Sequence, residues 1–341
     1  MRSALERYGF LLLAVVAVSV MPLVLKSGSL ASEVLVFALA ALGCNLLLGY
    51  TGLLSFGQGI FFGVGSYALG ILLTRTALPM PLVLLAAIAA GAIVAALVGW
   101  LAIRQKGVYF VMLTLALTQM FYFIAYSTPE WTGGDNGLLD IPTPAFTLFG
   151  VELFPNDTAW RYYSFVALLF VLVFWALLRV TESIFGRTLL AIRDNPARAS
   201  ALGYNVVHFK LLAFVLSGMV TALAGALYAM TTNIAPLTSI NYHMSEIILL
   251  VTVLGGTGKL IASLLGAAFY VIVSDWLSQL WPRWLLVFGL LLMAVSLYMQ
   301  GGLWGACSLV ADRLRRIGRG RSCAPVRDAK SPAASSGRRA P

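Results

Sequence analysis

Ten apolar runs, separated by short polar segments, follow one another from residue 8 to residue 304. A run of about 20 apolar residues is long enough to cross the hydrocarbon core of a bilayer as an α-helix. The pattern leaves no stretch for a soluble domain and predicts an all-α, polytopic helical membrane protein with about 8–10 transmembrane helices. The runs are residues 8–25, 31–49, 55–74, 82–101, 108–126, 161–180, 208–230, 244–256, 260–279 and 284–304.

Two of these runs differ from ordinary membrane spans. Residues 55–74 contain five glycines, and residues 244–256 are short and lead into the sequence GGTGK at 255–259. Short or glycine-interrupted apolar segments are typical of broken or re-entrant helices, which occur only where they are buried or line a cavity. If both segments re-enter, the number of crossings falls to eight.

The composition supports the membrane class. Hydrophobic residues make up 60% of the chain and charged residues 11%, whereas soluble domains carry about a quarter charged residues. Much of the net charge of +10 lies at the end of the chain, where residues 306–341 hold nine Lys and Arg and two Asp, a net charge of +7. We therefore expect a transmembrane domain at 1–305, then a basic, disordered cytoplasmic tail that faces anionic lipid rather than nucleic acid.

The distribution of Lys and Arg predicts the orientation, because short cytoplasmic loops are enriched in these residues. Basic residues precede the fifth run, follow the sixth run and follow the last run. With ten crossings these three segments lie on one side, so both termini are expected in the cytoplasm. The acidic loop at 127–160 then lies outside. Arg75 and Arg283 fall on the outer side and weaken the pattern slightly.

Residues 186–210 form a long polar stretch with four basic residues and one acidic residue, Asp194. The side chains of Asp194 and Asn195 can cap a helix, Pro196 suits the first helical position, and Gly203 can adopt the left-handed conformation that ends a helix. The stretch predicts a short capped helix with basic flanks on the cytoplasmic side. It is either a surface for a partner or a positively charged connecting loop.

No motif points to an enzyme or to a metal site. GGTGK lacks the remaining residues of a phosphate-binding loop, and the glycines at 63–65 lie in an apolar run rather than after a strand. His208 and His243 are expected at opposite membrane faces, where they cannot share a metal. We therefore predict that the chain is not an enzyme and holds no metal or cofactor of its own.

Polar residues inside the apolar runs are the candidates for a transport path, because hydrocarbon offers them no partner. Neutral groups without a charged relay suit the passage of a polar or zwitterionic solute. The alternative is that they form hydrogen bonds between helices. Glu246 and Asp275 are expected near the outer ends of their runs, at the interface, which argues against proton coupling. The candidates are Asn45, Gly49, Gly52, Gln58, Thr114, Thr118 and Gln119.

Five segments, which cover over half of the chain in order, resemble the LivM-type permeases of branched-chain amino-acid ABC importers. The sequence departs from the family pattern at three places. Arg198-Ala199-Ser200 stands where the coupling motif usually begins Glu-Ala-Ala, Gln58-Gly59 stands where His-Ala is frequent, and Gln300 replaces a usual Pro. The first departure concerns the side-chain contacts of coupling, and the second concerns substrate choice. The segments are residues 45–72, 107–125 with 132–138, 186–229, 248–270 and 284–305.

The resemblance implies one of two permease subunits of an importer in the cell inner membrane, paired with a homologous, LivH-like subunit. Two cytoplasmic ATPase subunits would bind ATP, and a periplasmic binding protein would deliver the substrate. The implied coupling residues are Arg187, Arg193, Asp194, Arg198, Ala199 and Gly203. The implied substrate path includes Asn45, Gly52, Gln58, Thr114 and Gln119, and the implied contacts with the binding protein are Thr132, Gly133, Gly134 and Asp135.

The expected mechanism is alternating access, in which ATP favours one of two states of the central cavity. Three alternatives stay open at the level of the sequence. The chain could serve an importer of urea or short amides, it could be a secondary transporter or channel that works without ATP, or it could be a purely structural membrane subunit.

Overall fold

The computed structural model describes residues 2–25, 27–76, 78–142, 146–148, 151–154, 158–280, 283–298 and 302–305. In chain order the helices are α1 (Arg2–Val24), α2 (Gly28–Asn45), α3 (Gln58–Arg75), α4 (Met80–Ala102), α5 (Val108–Ser127), α6 (Pro129–Thr132), α7 (Ala159–Glu182), α8 (Ile184–Asp194), α9 (Pro196–Ala201), α10 (Val206–Thr232), α11 (Tyr242–Gly255), α12 (Leu260–Leu280) and α13 (Trp284–Tyr298). A π-helical turn, Leu46–Thr51, extends α2, and two 3₁₀ turns cover Gly134–Asn136 and Leu237–Ser239. Two short antiparallel strands, β1 (Phe146–Leu148) and β2 (Val151–Phe154), form a hairpin before α7.

The all-α, polytopic architecture predicted from the sequence is confirmed. Each of the ten apolar runs contains one of the longer helices. Six helices in the described part of the chain are long and apolar enough to cross a membrane, and the others are shorter or less apolar. The predicted tail at 306–341 lies outside the described residues, so the boundary at 305 stays a prediction. The six candidate spans are Gly28–Thr51, Met80–Ala102, Val108–Ser127, Ala159–Glu182, Val206–Thr232 and Leu260–Leu280.

Helix α10 is the centre of the bundle, and α2, α3 and α4 pack around it. Glycines bring the backbones close together, since a Cβ atom on Gly65 would overlap the carbonyl oxygen of Ala222 and one on Gly225 would overlap that of Phe62. Small residues allow this approach, and dispersion contacts between close backbones hold membrane helices together. The ring of Phe214 on α10 meets that of Phe61 on α3 at 5.4 Å between centroids.

The run at 244–256 is short, as predicted, whereas the glycines of the run at 55–74 do not interrupt α3, and the break lies before this helix. The π-helical turn after α2 ends at Gly52 (φ 70°), and α3 begins only at Gln58 after a non-helical segment. Helix α11 has 14 residues, which at 1.5 Å per residue cover about 21 Å, less than the ~30 Å hydrocarbon core. The first turns of α3 and α11 meet in the interior, where the N–H of Gly59 donates to Oγ of Ser245 at 2.7 Å.

Candidate functional site

The polar stretch at 186–210 folds into α8, α9 and the start of α10 rather than into one capped helix. The Asn195 side chain accepts a hydrogen bond from the N–H of Arg198 at 3.0 Å, so the predicted cap of α9 is confirmed. The predicted cap at Asp194 is wrong, because this residue ends α8. Gly203 (φ 89°) follows α9, and the N–H of Tyr204 donates to the carbonyl of Ala199, which is the Schellman arrangement that ends a helix.

Helices α8 and α9 expose both basic and apolar side chains. Arg187 and Arg198 are exposed, whereas Ala199 is buried. Ile184 is 80% exposed and Leu202 73% exposed, although both lie between two candidate spans and not within one. The predicted coupling residues omit both. For Leu202, a large apolar residue within the polar stretch at 186–210 was the signal. An exposed apolar and basic patch of this kind is typical of a protein contact. We call Ile184, Arg187, Arg198, Leu202 and Tyr204 the α8–α9 surface.

Arg193 points from α8 towards the membrane bundle, although its side chain stays partly exposed. Its Nη1 donates to the carbonyl of Gly49 in the π-helical turn. The aliphatic part of its side chain packs on Gly52, where a Cβ atom would lie 3.1 Å from Cγ of Arg193. The last carbonyls of a helix lack backbone partners, and a cation is stabilised at this negative end. Arg193 therefore caps the interrupted helix and ties α8 to the interruption.

Asn45 holds the glycine-rich loop at 256–259 against the same turn. Its Oδ1 accepts the N–H of Gly258 at 2.9 Å, and its Nδ2 donates to the carbonyl of Lys259 at 2.9 Å and to Oγ of Ser263 at 3.0 Å. Gly49 allows the close packing, because a Cβ atom there would lie 2.5 Å from Oδ1 of Asn45. The loop that resembles a phosphate-binding sequence thus closes around a side-chain amide.

Gln58 joins α3 to α10 in the buried core. Its Nε2 donates to Oγ of Ser217 at 3.0 Å, and its Oε1 accepts from Oγ1 of Thr221 at 2.7 Å. Ser217 in turn donates to the carbonyl of Gly43 on α2 at 2.7 Å. One glutamine therefore connects three helices, and none of its side chain is exposed.

Thr114 and Thr118 of α5 satisfy the backbone of the non-helical segment before α3. Oγ1 of Thr114 accepts from the N–H of Phe56 at 3.2 Å, and Oγ1 of Thr118 donates to the carbonyl of Phe56 at 2.9 Å. Non-helical backbone inside a membrane protein needs such partners, since hydrocarbon supplies none. Both threonines are fully buried.

The predicted path residues thus divide into two groups. Asn45, Gln58 and Thr114 are buried in hydrogen bonds between helices, whereas Gln119 is half-buried and Gly52 is exposed. The path assignment stays a prediction for all five, and the two accessible residues are those that a solute could meet first.

The residues predicted to contact a binding protein form a compact outer turn. Thr132 is buried, and its Oγ1 donates to the carbonyls of Ala125 and Thr128 at 2.6 and 2.8 Å. Gly134 is also buried, whereas Gly133 and Asp135 are exposed. Nearby, the guanidinium of Arg75 lies 4.1 Å from the ring centroid of Trp131. This contact explains how a basic residue is accommodated at the end predicted to be extracellular.

Comparison with known proteins identifies the family to which this chain belongs. Residues 28–297 match the family described as the permease component of the branched-chain amino acid transport system. The chain belongs to this permease family. It is 27% identical over 325 residues to the high-affinity branched-chain amino acid permease protein LivM of Salmonella typhimurium, covering 88% of this chain and 76% of the relative.

Two other relatives show the breadth of the family. A probable LivM of Methanocaldococcus jannaschii is 23% identical over 315 residues, covering 78% of this permease and 90% of the relative. The autoinducer 2 import permease LsrC of Enterobacter sp. is 30% identical over 248 residues, covering 70% of this permease and 66% of the relative. No solved structure matches.

Membership of this family establishes the general function of the protein. This permease is a multi-pass inner-membrane transport subunit of an ABC-type importer, and it is not an enzyme. ATP hydrolysis in such a system belongs to a separate subunit, so the permease works in a complex with other chains. In the described residues, no group of three His, Cys, Asp or Glu side chains is placed to hold a metal ion.

Proposed function

We propose that this permease moves branched-chain amino acids inward by alternating access, together with a homologous second permease, two ATP-binding subunits and a periplasmic binding protein. The observation that carries the proposal is the link through Arg193, which connects an exposed helix pair to the interruption after α2. A subunit driven by an external ATPase needs such a link. The LivM relatives support the substrate.

In this proposal the α8–α9 surface binds an ATPase subunit. ATP shifts the equilibrium between inward- and outward-facing states only through its different affinity for them. Closure of the ATPase pair displaces α8 and α9, and Arg193 and Asn45 pass this displacement to the π-helical turn and the loop at 256–259. The permease needs no cofactor of its own, because ATP binds to its partners.

We place both termini in the cytoplasm. Arg104 lies over the ring of Trp100 at 4.4 Å from the centroid, and Arg179 lies over that of Trp175 at 5.3 Å. Tryptophan is enriched at membrane interfaces, and arginine is enriched on the cytoplasmic side. Both pairs lie at the helix ends that the charge pattern assigns to the cytoplasm. The exposed Asp135 and Gly133 then face the binding protein.

The second permease covers α5 in this proposal. Helix α5 is among the least buried candidate spans, and Met112 and Phe123 on its free face are 65% and 66% exposed. Gln119 lies on the same face at helical spacing, and a glutamine that faced lipid would lack a hydrogen-bonding partner. We therefore expect the path to run between the two permeases beside Gln119, with Gly52 at its cytoplasmic end and Asn45, Gln58 and Thr114 supporting it from behind.

The LsrC relatives favour a second candidate, which is uptake of autoinducer 2 or a related solute. The two candidates share the coupling machinery and differ only in what the path must bind. Direct comparison of leucine with such a solute in the same uptake experiment separates them.

Co-purification from mild detergent tests the coupling surface. We expect the wild-type permease to retain the ATP-binding subunits and Leu202→Glu to lose them by about fivefold or more, because a charge enters the centre of an apolar contact. Leu139→Glu is the matched control: this leucine is 51% exposed in the predicted outer loop, so its replacement should leave the ATPase yield unchanged. An unchanged yield with Leu202→Glu would contradict the surface, and a wild-type chain that purifies alone would contradict the function.

A further inference from the structure

A histidine and a glutamate form a pair on the first two turns of α11. Nδ1 of His243 lies 3.4 Å from an oxygen of the Glu246 carboxylate, and the two side chains are 63% and 54% exposed. Both therefore lie on the surface of this chain. The sequence places Glu246 near the outer end of its run, at the membrane interface, where a carboxylate is unremarkable. The depth of Glu246 along the bundle therefore decides whether its carboxylate lies at the interface or within the hydrocarbon core.

Contacts along α3 give that level. Gly59 meets Ser245 through its hydrogen bond, whereas Gly70 packs on Leu138 and Ile141 of the outer loop. The two glycines are 11 positions apart, which corresponds to about 16 Å along the helix axis. Glu246, the neighbour of Ser245, thus lies well below the outer loop, deeper than the interfacial position predicted from the sequence.

The opposite end of α11 gives a second measure. Gly255, the end of the helix, lies nine positions after Glu246, which corresponds to about 14 Å. The following loop is held by Asn45 near the end of α2 that Arg193 caps. The two distances add to roughly the ~30 Å of the hydrocarbon core, so the pair lies near its middle.

A third polar residue lies at this level. Thr118 bonds to the carbonyl of Phe56, two residues before α3 begins, so its neighbour Gln119 is level with the start of α3. Helix α5 also contacts α11. An exposed charge at this depth is costly against lipid, and such residues almost always face a water-filled cavity or a partner.

We propose that Glu246 is a substrate-binding residue of the transport path, where its carboxylate pairs with the α-ammonium group of the passing amino acid. His243 is its partner when the path is empty, and Gln119 borders the same space. This inference rests on the proposed function and adds the ligand chemistry: a solute with an amino group gains a charged contact, and a solute without one does not.

Uptake by the complete importer in proteoliposomes tests the ligand. We expect Glu246→Gln to lower the rate of leucine uptake by about tenfold or more, as the loss of one charged contact does. Glu246→Asp should restore much of the rate, since it keeps the carboxylate. Stimulation of ATP hydrolysis by the loaded binding protein should persist in both variants. Equal uptake by wild type and Glu246→Gln would overturn the proposal.

Reaction with a charged, membrane-impermeant thiol reagent tests the environment even if uptake is lost. In a background with Ser at Cys44, Cys307 and Cys323, Glu246→Cys should react, and leucine transport should slow the reaction. Ile93→Cys is the control, because Ile93 is 69% exposed in the middle of α4 and should face lipid. Failure of Glu246→Cys to react within an assembled complex would overturn this inference alone. Absence of ATPase subunits from the wild-type preparation would instead overturn the proposed function.

Discussion

Alanine at Gly65 or at Gly225 is expected to lower the stability and the yield of the folded permease markedly. A Cβ atom at either position would overlap a backbone carbonyl oxygen of the neighbouring helix, that of Ala222 or that of Phe62. No side-chain rotation relieves a backbone overlap, so α3 and α10 must move apart. Overpacking of this kind costs about 1–3 kcal/mol or more, a large share of the ~5–15 kcal/mol that stabilises a typical domain.

The amount of monodisperse protein after detergent extraction, and its melting temperature, measure this effect. Gly289→Ala is the matched control, because Gly289 of α13 has no atom within 4 Å of the added methyl group. It should behave like the wild type. Wild-type yield and melting temperature with Gly65→Ala would contradict the close packing of α3 against α10.

Replacing Arg193 by alanine is expected to uncouple the importer without disassembling it. The guanidinium contacts Gly49 of the bundle, while the α8–α9 surface remains intact. ATPase subunits should therefore still co-purify. Substrate uptake should fall by about tenfold or more, within the range of known coupling energies, and the loaded binding protein should no longer stimulate ATP hydrolysis.

Two further variants test whether the guanidinium of Arg193 is responsible for the loss of uptake. Arg193→Lys keeps the positive charge at the helix end but not the planar guanidinium, so it should give an intermediate uptake rate. Arg179→Ala removes an arginine that lies over Trp175 at the same end of the bundle, and it should remain coupled. If Arg193→Ala transports at the wild-type rate, Arg193 does not transmit the motion.

Local features of the sequence predicted much of the fold. The ten apolar runs gave the helices, because the length and the apolar character of a span are encoded in consecutive residues. The Asn195 cap and the turn at Gly203 also followed from neighbouring residues. The glycines at 55–74 indicated a broken segment, whereas α3 runs without interruption from Gln58 to Arg75 and the break lies before it.

Contacts between residues far apart in the sequence could not be predicted in this way. Asn45 and Lys259 are 214 positions apart, and Gln58 and Thr221 are 163 positions apart. A polar residue in an apolar run gives the same signal whether it lines a path or joins two helices. Glu246 was placed at the interface because it lies near the outer end of its apolar run, whereas α11 begins inside the bundle.

ATP-driven uptake of labelled leucine tests the central claim most directly. The permease is co-expressed with the neighbouring transport subunits, reconstituted in proteoliposomes with the binding protein, and supplied with ATP on the cytoplasmic side. Leucine accumulation that requires ATP, the binding protein and this chain is the predicted result. Transport by this chain alone without ATP, or a complete complex that accumulates only solutes lacking an amino group, would contradict the account.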